Sequence, residues 1–335
     1  MKRKTALITG ITGMDGSTLA DMLLKKDYNV IGVMRRNATS NLENAKHLEN
    51  NIDIVEGDIT DTSSMLRIID STKPHELYHT AAMSHVHTSF EQPLATIDID
   101  TKGLVNILEV CRLVRQQTRI LHCSTSEMFG TSPSPQGLET TLTPQSPYAI
   151  AKVASHHFVK LYRQAYKMYI CAAITFNHEG PRRGPNFVTR KISIGVSKAL
   201  ADRTFKLKLG NLDAKRDWGL SSEYCEGFWL ALQQENANDY IFSTGESHSI
   251  SEFCKEAFSY VGLNWENHVE VHRFYMRPAE VPDLCGDYSK TKELLGWEPK
   301  VKFKELVRIM VDADCKLAGL IKEGETAEYL AEKLN

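Results

Sequence analysis

The sequence predicts an α/β fold, a Rossmann-like doubly wound parallel sheet with a smaller α/β C-terminal substrate-binding lobe, and three observations carry that prediction. A short apolar run at residues 5–9 is followed at once by three glycines at spacing three, Gly10, Gly13 and Gly16. Strand-like apolar runs then alternate with helix-period segments as far as residue 176, the pattern of a parallel sheet with crossover helices. Beyond that point the alternation fades, and Gly and Pro cluster at 180–185.

Each element has its own signal. Residues 5–9 stop at Gly10, as a buried parallel strand does. Leu19, Met22 and Leu23 then fall at helical spacing. Segments 30–34, 52–55, 77–81 and 120–123 read as further strands, that of 52–55 ending at Gly57-Asp58, with helices around 61–70 and 98–116. The Pro-rich stretch 132–147 reads as a surface loop. A length of 335 residues suits about two domains. The division expected is a dinucleotide-binding domain over 1–176, to which helices near 222–235 and 303–320 return, a discontinuous second lobe over 177–302, and a peripheral tail at 321–335.

Composition excludes several classes of function. Forty Lys+Arg stand against 42 Asp+Glu, a formal charge of −2, so the chain is not built to coat nucleic acid or an anionic membrane. Seven scattered cysteines lack metal or redox spacing and read as free thiols of a reducing, cytoplasmic protein. No apolar run reaches membrane-spanning length, and residues 5–9 are too short for an export signal. Asn177-His178-Glu179 lacks a further ligand at helical spacing, so no metal site is expected.

Three constellations carry chemistry. Glycines 10, 13 and 16 lie between a strand and a helix, where they let the backbone approach a pyrophosphate and aim helix N–H groups at it. The second strand ends in Arg35-Arg36 rather than in the acidic residue that binds a ribose 2′-hydroxyl. Paired guanidiniums clamp a 2′-phosphate, which favours NADP; a solvated arginine pair with NAD held otherwise is the alternative. Asp58, closing the third strand, fits either an adenine contact or an ordinary turn. Tyr148 and Lys152 stand one helical turn apart, so the ammonium can sit beside the phenol and favour a phenolate base. Tyr288/Lys292 and Tyr329/Lys333 share that spacing but not the context, and read as exposed helix pairs. Only Tyr148 follows a strand ending in hydroxyls, at Ser124-Thr125-Ser126-Glu127.

Glycine loop, strand-end Ser/Thr and Tyr-x-x-x-Lys in this order resemble an extended short-chain dehydrogenase/reductase. The segments Gly10-Ile-Thr-Gly-Met-Asp-Gly-Ser17, Ser124-Thr-Ser-Glu127, Ser146-Pro-Tyr-Ala-Ile-Ala-Lys152, Phe176-Asn-His-Glu179, Pro181-Arg-Arg-Gly184, Phe187-Val-Thr-Arg-Lys191, Gly210-Asn211, Arg216-Asp-Trp-Gly219 and Arg277-Pro-Ala-Glu280 closely resemble the GDP-mannose 4,6-dehydratase family within it. The resemblance spans roughly 4–320. It implies a hydro-lyase of nucleotide-sugar metabolism, on the route to GDP-fucose, that oxidises a hexose at C4, eliminates water across C5 and C6, and returns the hydride to C6. Tyr148, Lys152, Thr125 and Glu127 would be catalytic. Gly10, Thr12, Gly13, Met14, Asp15, Gly16, Arg35, Arg36, Asp58, Ile59, Ala81, Ala82, His178 and Arg183, with Tyr148 and Lys152, would hold NADP. Ser84, Asn177, Val188, Lys191, Gly210, Arg216, Arg277 and Glu280, with Thr125 and Glu127, would hold a GDP-sugar, making 177–302 the GDP-sugar lobe.

The family's Ala-Ala-Gln-Ser-His, Glu-Leu-Tyr-Gly and Asn-His-Glu-Ser become Ala81-Ala-Met83-Ser-His85, Glu127-Met-Phe129-Gly130 and Asn177-His-Glu-Gly180 here. Met83, Phe129 and Gly180 each replace a polar residue in segments expected beside the sugar. The polar stretch 35–50 corresponds to one that family members extend across a subunit interface, which implies a homo-oligomer, dimer or tetramer. A mobile surface loop is the other reading. Two further functional readings remain at this point. One is an enzyme of the same scaffold acting on another GDP-sugar such as a GDP-heptose, or an epimerase or reductase. The other is a non-catalytic NADP sensor or scaffold, which the retention of Tyr148, Lys152, Thr125 and Glu127 disfavours.

Overall fold

In chain order, β1 (Thr5–Thr9), β2 (Asn29–Met34), β3 (Asp53–Glu56), β4 (Glu76–His79), β5 (Arg119–Thr125) and β6 (Ile170–Thr175) are followed by three strands, β7 (Asn177–Glu179), β8 (Leu207–Leu209) and β9 (Lys215–Leu220), and then by β10 (Asp239–Phe242). These come from a computed structural model that describes residues 3–36 and 42–332. One parallel sheet takes seven of them in the order β3-β2-β1-β4-β5-β6-β10. The reversal between β1 and β4 opens the crevice at the strands' C-terminal ends where such sheets bind ligands. β10 was not foreseen as part of this sheet. Its four residues, Asp239-Tyr-Ile-Phe242, are all buried, and a run that short carries no sign of which sheet it will join.

Helix α1 (Met14–Lys25) packs on one face of the sheet. On the other face α2 (Thr62–Thr72) precedes a broken helix. There α3 (Val86–Glu91) and α4 (Pro93–Ile97) lead through one π-turn, Asp98–Lys102, into α5 (Gly103–Val114). The helix expected at 98–116 therefore begins in a wide turn, the kind of distortion that recurs beside functional sites. Then comes α6 (Pro147–Tyr166), with Pro147 at its first position and Ser146 accepting from the Ala149 N–H, two favourable start signals. The preceding segment 132–147 is a loop, but not a loose one. Gln136 is fully buried and bonds the Ser132 carbonyl and the Cys285 N–H.

The lobe opens with α7 (Val188–Ala201). The helix α8 (Ser221–Gln233) that follows β9 lies against α1, with Cys225, Phe228 and Leu232 in one cluster with Leu19 and Leu23. In the lobe β9 pairs antiparallel with β11 (Ser247–Ser249), β8 pairs with β12 (Val269–Val271), and β9 also takes β7 and β13 (Asp283–Leu284) in parallel. Alternation along β9 brings Arg216 to the site while Asp217 anchors loops. The Asp217 carboxylate accepts from Thr244 N, Thr244 Oγ1, Gly245 N and Gly286 N. After α9 (Ile250–Ser259) and α10 (Ser289–Leu295) comes α11 (Phe303–Leu317). Contrary to expectation, α11 does not return to the large sheet. Its Leu306, Val307, Met310 and Val311 pack with Ile192, Val196, Phe253 and Phe258 of the lobe, and Arg190 of α7 donates from Nε to Asp314 at 2.8 Å. An apolar stripe has the same period whichever surface it covers, so sequence could not choose between the two. Among the described residues no helix is long and apolar enough to cross a membrane.

Candidate active site

The glycine loop has the geometry its spacing promises. Gly10 takes φ +77, and a Cβ there would stand 2.8 Å from the Ala81 nitrogen. A Cβ at Gly16 would run into the Gly10 carbonyl. Gly13 caps α1 in extended conformation with no side chain on the first-turn N–H groups. That leaves the donors of a positive helix end without a capping side chain, and the residues present fit a dinucleotide pyrophosphate. Gly16→Ala is expected to weaken dinucleotide binding at least tenfold and lower the melting temperature, by overpacking of roughly 1–3 kcal/mol; titration calorimetry and thermal melts check both. Arg35 and Arg36 are exposed just past β2. Asp58 Oδ1 accepts from Thr60 N and Oγ1, the bonding of a strand-end turn, and Ile59 is buried beside Gly103. Asn44 ties this region together by donating to the Thr12 and Arg182 carbonyls. Part of the stretch 35–50, residues 37–41, lies outside the described residues; the rest is anchored by buried Ala45 and Leu48.

Sixteen of the expected site residues line one cavity of about 600 Å³: Asp15, Ala82, Ser84, Thr125, Glu127, Tyr148, Lys152, Asn177, His178, Arg183, Val188, Lys191, Gly210, Arg216, Arg277 and Glu280. The others, Gly10, Thr12, Gly13, Met14, Gly16, Arg35, Arg36, Asp58, Ile59 and Ala81, are not in its wall and lie along the loop and the ends of β2, β3 and β4. His178 sits at the junction. Its Nδ1 faces the Phe176 carbonyl at 2.9 Å and its Nε2 the Asp15 carboxylate at 2.8 Å, so both nitrogens must carry protons. Burial opposes that charge, but Asp15 overcomes it and raises the histidine. Burial likewise opposes the Asp15 charge, and His178 with Ser221 brings the acid below its ordinary value. The result is a buried imidazolium–carboxylate pair under the cleft.

At the chemical end, α6 presents Tyr148 and Lys152, 7% and 2% exposed. Thr125 closes β5; its hydroxyl accepts from Glu127 N at 3.3 Å and favours the Tyr148 phenolate. In the free protein the pull toward phenolate expected of Lys152 is outweighed: its Nζ donates to the Cys123 carbonyl at 2.8 Å and lies 5.9 Å from the Tyr148 ring centre. Burial, then the charge of Asp100, raises Tyr148 above the usual tyrosine range. Asp100 is a group that sequence reasoning missed. It lies in the π-turn, is 1% exposed, accepts from Met83 N at 2.7 Å through Oδ1, and its Oδ2 has no partner.

Positive charge gathers beside Glu127. Arg216 is 5% exposed and lies 3.9 Å from Glu127 Oε1 and 3.4 Å from Glu280. Arg277 approaches Glu127 Oε1 to 3.5 Å. Lys191 stands over the Tyr275 ring at 4.5 Å, its ammonium disfavoured by burial. Arg183 pairs with buried Glu179 and covers Phe187. An acid–base cluster with cations gathered beside Glu127 suits a sugar joined to a phosphate-bearing group.

A family model described as GDP-mannose 4,6 dehydratase matches residues 7–310. The chain belongs to that family. It is 46% identical to GDP-mannose 4,6 dehydratase 1 of Arabidopsis thaliana over 98% of this chain and 94% of that one. It is 42% identical to GDP-mannose 4,6 dehydratase of Homo sapiens, over 94% and 92%. Among solved structures, the Thermus thermophilus UDP-glucose 4-epimerase in complex with NAD matches with TM-score 0.81 at 26% identity, over 92% of this chain and 98% of that one. The Thermotoga maritima UDP-glucose 4-epimerase shares the fold, with TM-score 0.82 at 24% identity over 95% and 100%.

The three departures from the GDP-mannose 4,6-dehydratase pattern do not border the cavity, contrary to expectation. Phe129 is buried against Phe176 in a separate apolar cluster. The Met83 sulfur faces Thr96 Oγ1, and Gly180 is buried. Polarity lost at Met83, Phe129 and Gly180 is therefore lost behind the wall, where an apolar side chain packs without cost to the site. Sequence reasoning also passed over His85, His87, Phe187 and Tyr275, which line the cavity. None stands at a spacing that signals chemistry. Tyr288 is not an exposed helix partner either; it packs edge-on against Trp297. Lys333, the partner expected for Tyr329, lies outside the described residues.

Proposed function

We propose that this member of the GDP-mannose 4,6-dehydratase family converts GDP-mannose to GDP-4-keto-6-deoxy-mannose with NADP as its cofactor. The observation that supports the reading is the shared cavity: Tyr148, Lys152, Thr125 and Glu127 meet Lys191, Arg216 and Arg277 within one space. Hydroxide at C6 of a hexose is a poor leaving group and the C5 proton is not acidic. A ketone at C4 acidifies C5 and makes C6 β to the carbonyl, so water can leave. A nicotinamide dinucleotide bound at the glycine loop supplies hydride acceptance at C4 and hydride return at C6, and its oxidised ring favours the Tyr148 phenolate. Tyr148 takes the O4 proton, and Thr125 holds O4 by a hydrogen bond. Lys152 fixes the end of β5 through Cys123 O and places a positive charge below the phenol. Glu127 removes the C5 proton and delivers it to the departing C6 hydroxyl; once hydride has reached C6, Glu127 passes to C5 one proton from solvent, equal in number to the one Tyr148 took from O4. Lys191, Arg216 and Arg277 hold the diphosphate, and Asn177, Val188, Gly210 and Glu280 position the rest of the nucleotide sugar.

Incubation with GDP-mannose should give a product lighter by one water with no net reduced cofactor, and deuterium at C4 should reappear at C6. Loss of the label to solvent, or net cofactor reduction, would remove the internal return. Arg35 and Arg36 set the cofactor choice in this reading. Arg35→Ala combined with Arg36→Ala should weaken NADP binding by roughly 10-fold and leave NAD binding nearly unchanged, since exposed, screened charge pairs contribute at most about 1 kcal/mol each. Parallel titrations with the two dinucleotides check it. The segment 35–50 is proposed to lie at the interface of a homo-oligomer, for which sedimentation is the measurement.

A further inference from the structure

The face of the sheet under α6 carries an apolar row, Leu7–Leu77–Ile120–Ile170, in register across β1, β4, β5 and β6. Two residues further along each strand, the same face should repeat it. Instead the next row reads Thr9–His79–His122–Ala172–Asp239, in register across β1, β4, β5, β6 and β10. His79 and His122 stack at 5.4 Å between ring centres, and His79 Nδ1 meets Thr9 Oγ1 at 2.8 Å. Where β6 offers only Ala172, α6 supplies His156, whose charge is felt at His122 and whose Nε2 lies 3.6 Å from Asp239 Oδ2. Asp239 in turn meets Arg163 at 2.6 Å and half-exposed Lys160 at 3.7 Å.

These histidines are 1%, 0% and 3% exposed. Four of their six ring nitrogens, His79 Nε2, both of His122 and His156 Nδ1, have no hydrogen-bond partner in the protein. A buried nitrogen left without a partner is costly. Four in one row form a buried polar strip that the protein alone leaves unsatisfied. The upper end of the row adjoins the chemistry. Tyr148, Lys152, His156 and Lys160 recur every four residues along α6 and so share one stripe of the helix. The Lys152 ammonium acts on both His79 and His122.

We propose that His122 and His156, bridged by internal water and with His79 as a side branch, carry protons between the Tyr148–Lys152 couple and bulk solvent at Asp239. The proposal rests on Tyr148 being the acid–base group. A proton leaves Tyr148 Oη for Lys152 Nζ as Nζ passes one of its own to the row; each step breaks one O–H or N–H bond and forms another, no electrons change centres, and the proton is lost to water at the Asp239 edge. Burial, the first cause in each case, brings His79 down to about 3 and His156 to about 4, so each ring is neutral and can donate at one nitrogen and accept at the other. The charged groups facing the row are Lys152, Lys160 and Arg163 of α6, with neighbouring His157, and Asp239 of β10. Such a path matters because Tyr148 is 7% exposed and bound ligands would close the cavity above it.

The test follows proton release with an indicator dye in weak buffer after rapid mixing of the purified protein with NADP⁺. Wild type should release about one proton per site more than Tyr148→Phe. Equal release by the two would overturn the acid–base role itself, independently of the row. His122→Phe and, separately, His156→Gln should keep the cofactor affinity and the number of protons but slow release at least tenfold. A merely structural histidine would change affinity or melting temperature instead. Release at the wild-type rate in the folded variants shows that protons leave through the cavity mouth, and overturns the proposal. If His122→Phe does not fold, His156→Gln, at the edge of the row, decides alone.

Discussion

Tyr148→Phe is expected to lower kcat by roughly 100- to 10,000-fold, the range for removing a positioned acid–base group, with the fold and dinucleotide affinity retained. The phenol is held by its surroundings rather than holding them: it follows the α6 cap formed by Ser146 and Pro147, and its ring is already buried without the hydroxyl. The pH dependence follows from the same site. Burial, and then Asp100, raise the phenol above its ordinary value, so the base form gains population as pH rises, and wild-type kcat should climb on the alkaline side. Asp100→Asn removes a negative charge that opposes phenolate. The rising limb should then move to lower pH, whereas in Tyr148→Phe it should vanish. A steady-state pH series on the three proteins, with circular dichroism as the control for folding, tests this. A rising limb that survives in Tyr148→Phe would assign it to another group.

What the sequence made legible is what has a period or a spacing. The run into Gly10, Gly13 and Gly16 fixes a strand, a turn and a helix start, because Gly10 must adopt φ +77 and Gly16 must pack on the Gly10 carbonyl. Tyr148 and Lys152 are one turn apart on any helix, and both enter the cavity. Their mutual electrostatics were not legible, since i and i+4 place two side chains on one face without saying where a flexible ammonium points. Cys123 O takes it. Nor could α11 be assigned to the lobe, or β10 to the large sheet, from apolar patterns that suit either. Asp100 is the sharpest case. Asp100, one of two acids in Ile97-Asp-Ile-Asp100, has no partner at a telling spacing in the sequence, and its importance arises only because the π-turn brings its charge to bear on Tyr148. The histidine row escaped for a related reason: His79 and His122 meet only through the register of β4 with β5, and His156 joins them only because α6 packs over that face.

Glu127→Gln should separate the reaction into its halves. The amide keeps the size and most of the hydrogen bonding of the carboxylate but cannot accept the C5 proton. Oxidation at C4 therefore remains possible while elimination stops, and overall turnover should fall roughly 100- to 10,000-fold. Reduced cofactor should accumulate to a fraction of the sites in a single-turnover absorbance trace, where wild type shows no lasting signal. Lost turnover without that signal would move Glu127 to the first step, and unchanged turnover would remove it from the chemistry. Binding gives an independent reading. In the free protein Glu127 Oε1 lies 3.5 Å from Arg277 and 3.9 Å from Arg216, and Arg216 is 5% exposed. Taking away the carboxylate leaves Arg216 with Glu280 as its remaining acidic partner, at 3.4 Å, and a buried charge short of partners destabilises the fold by up to about 3–5 kcal/mol. An added diphosphate supplies the missing negative charge. GDP should therefore bind Glu127→Gln at least as tightly as wild type and restore more of its melting temperature, because a ligand that binds only the folded state stabilises it by mass action. A variant that loses catalysis while gaining affinity for GDP places Glu127 in the chemistry and Arg216 and Arg277 in the grip on the diphosphate.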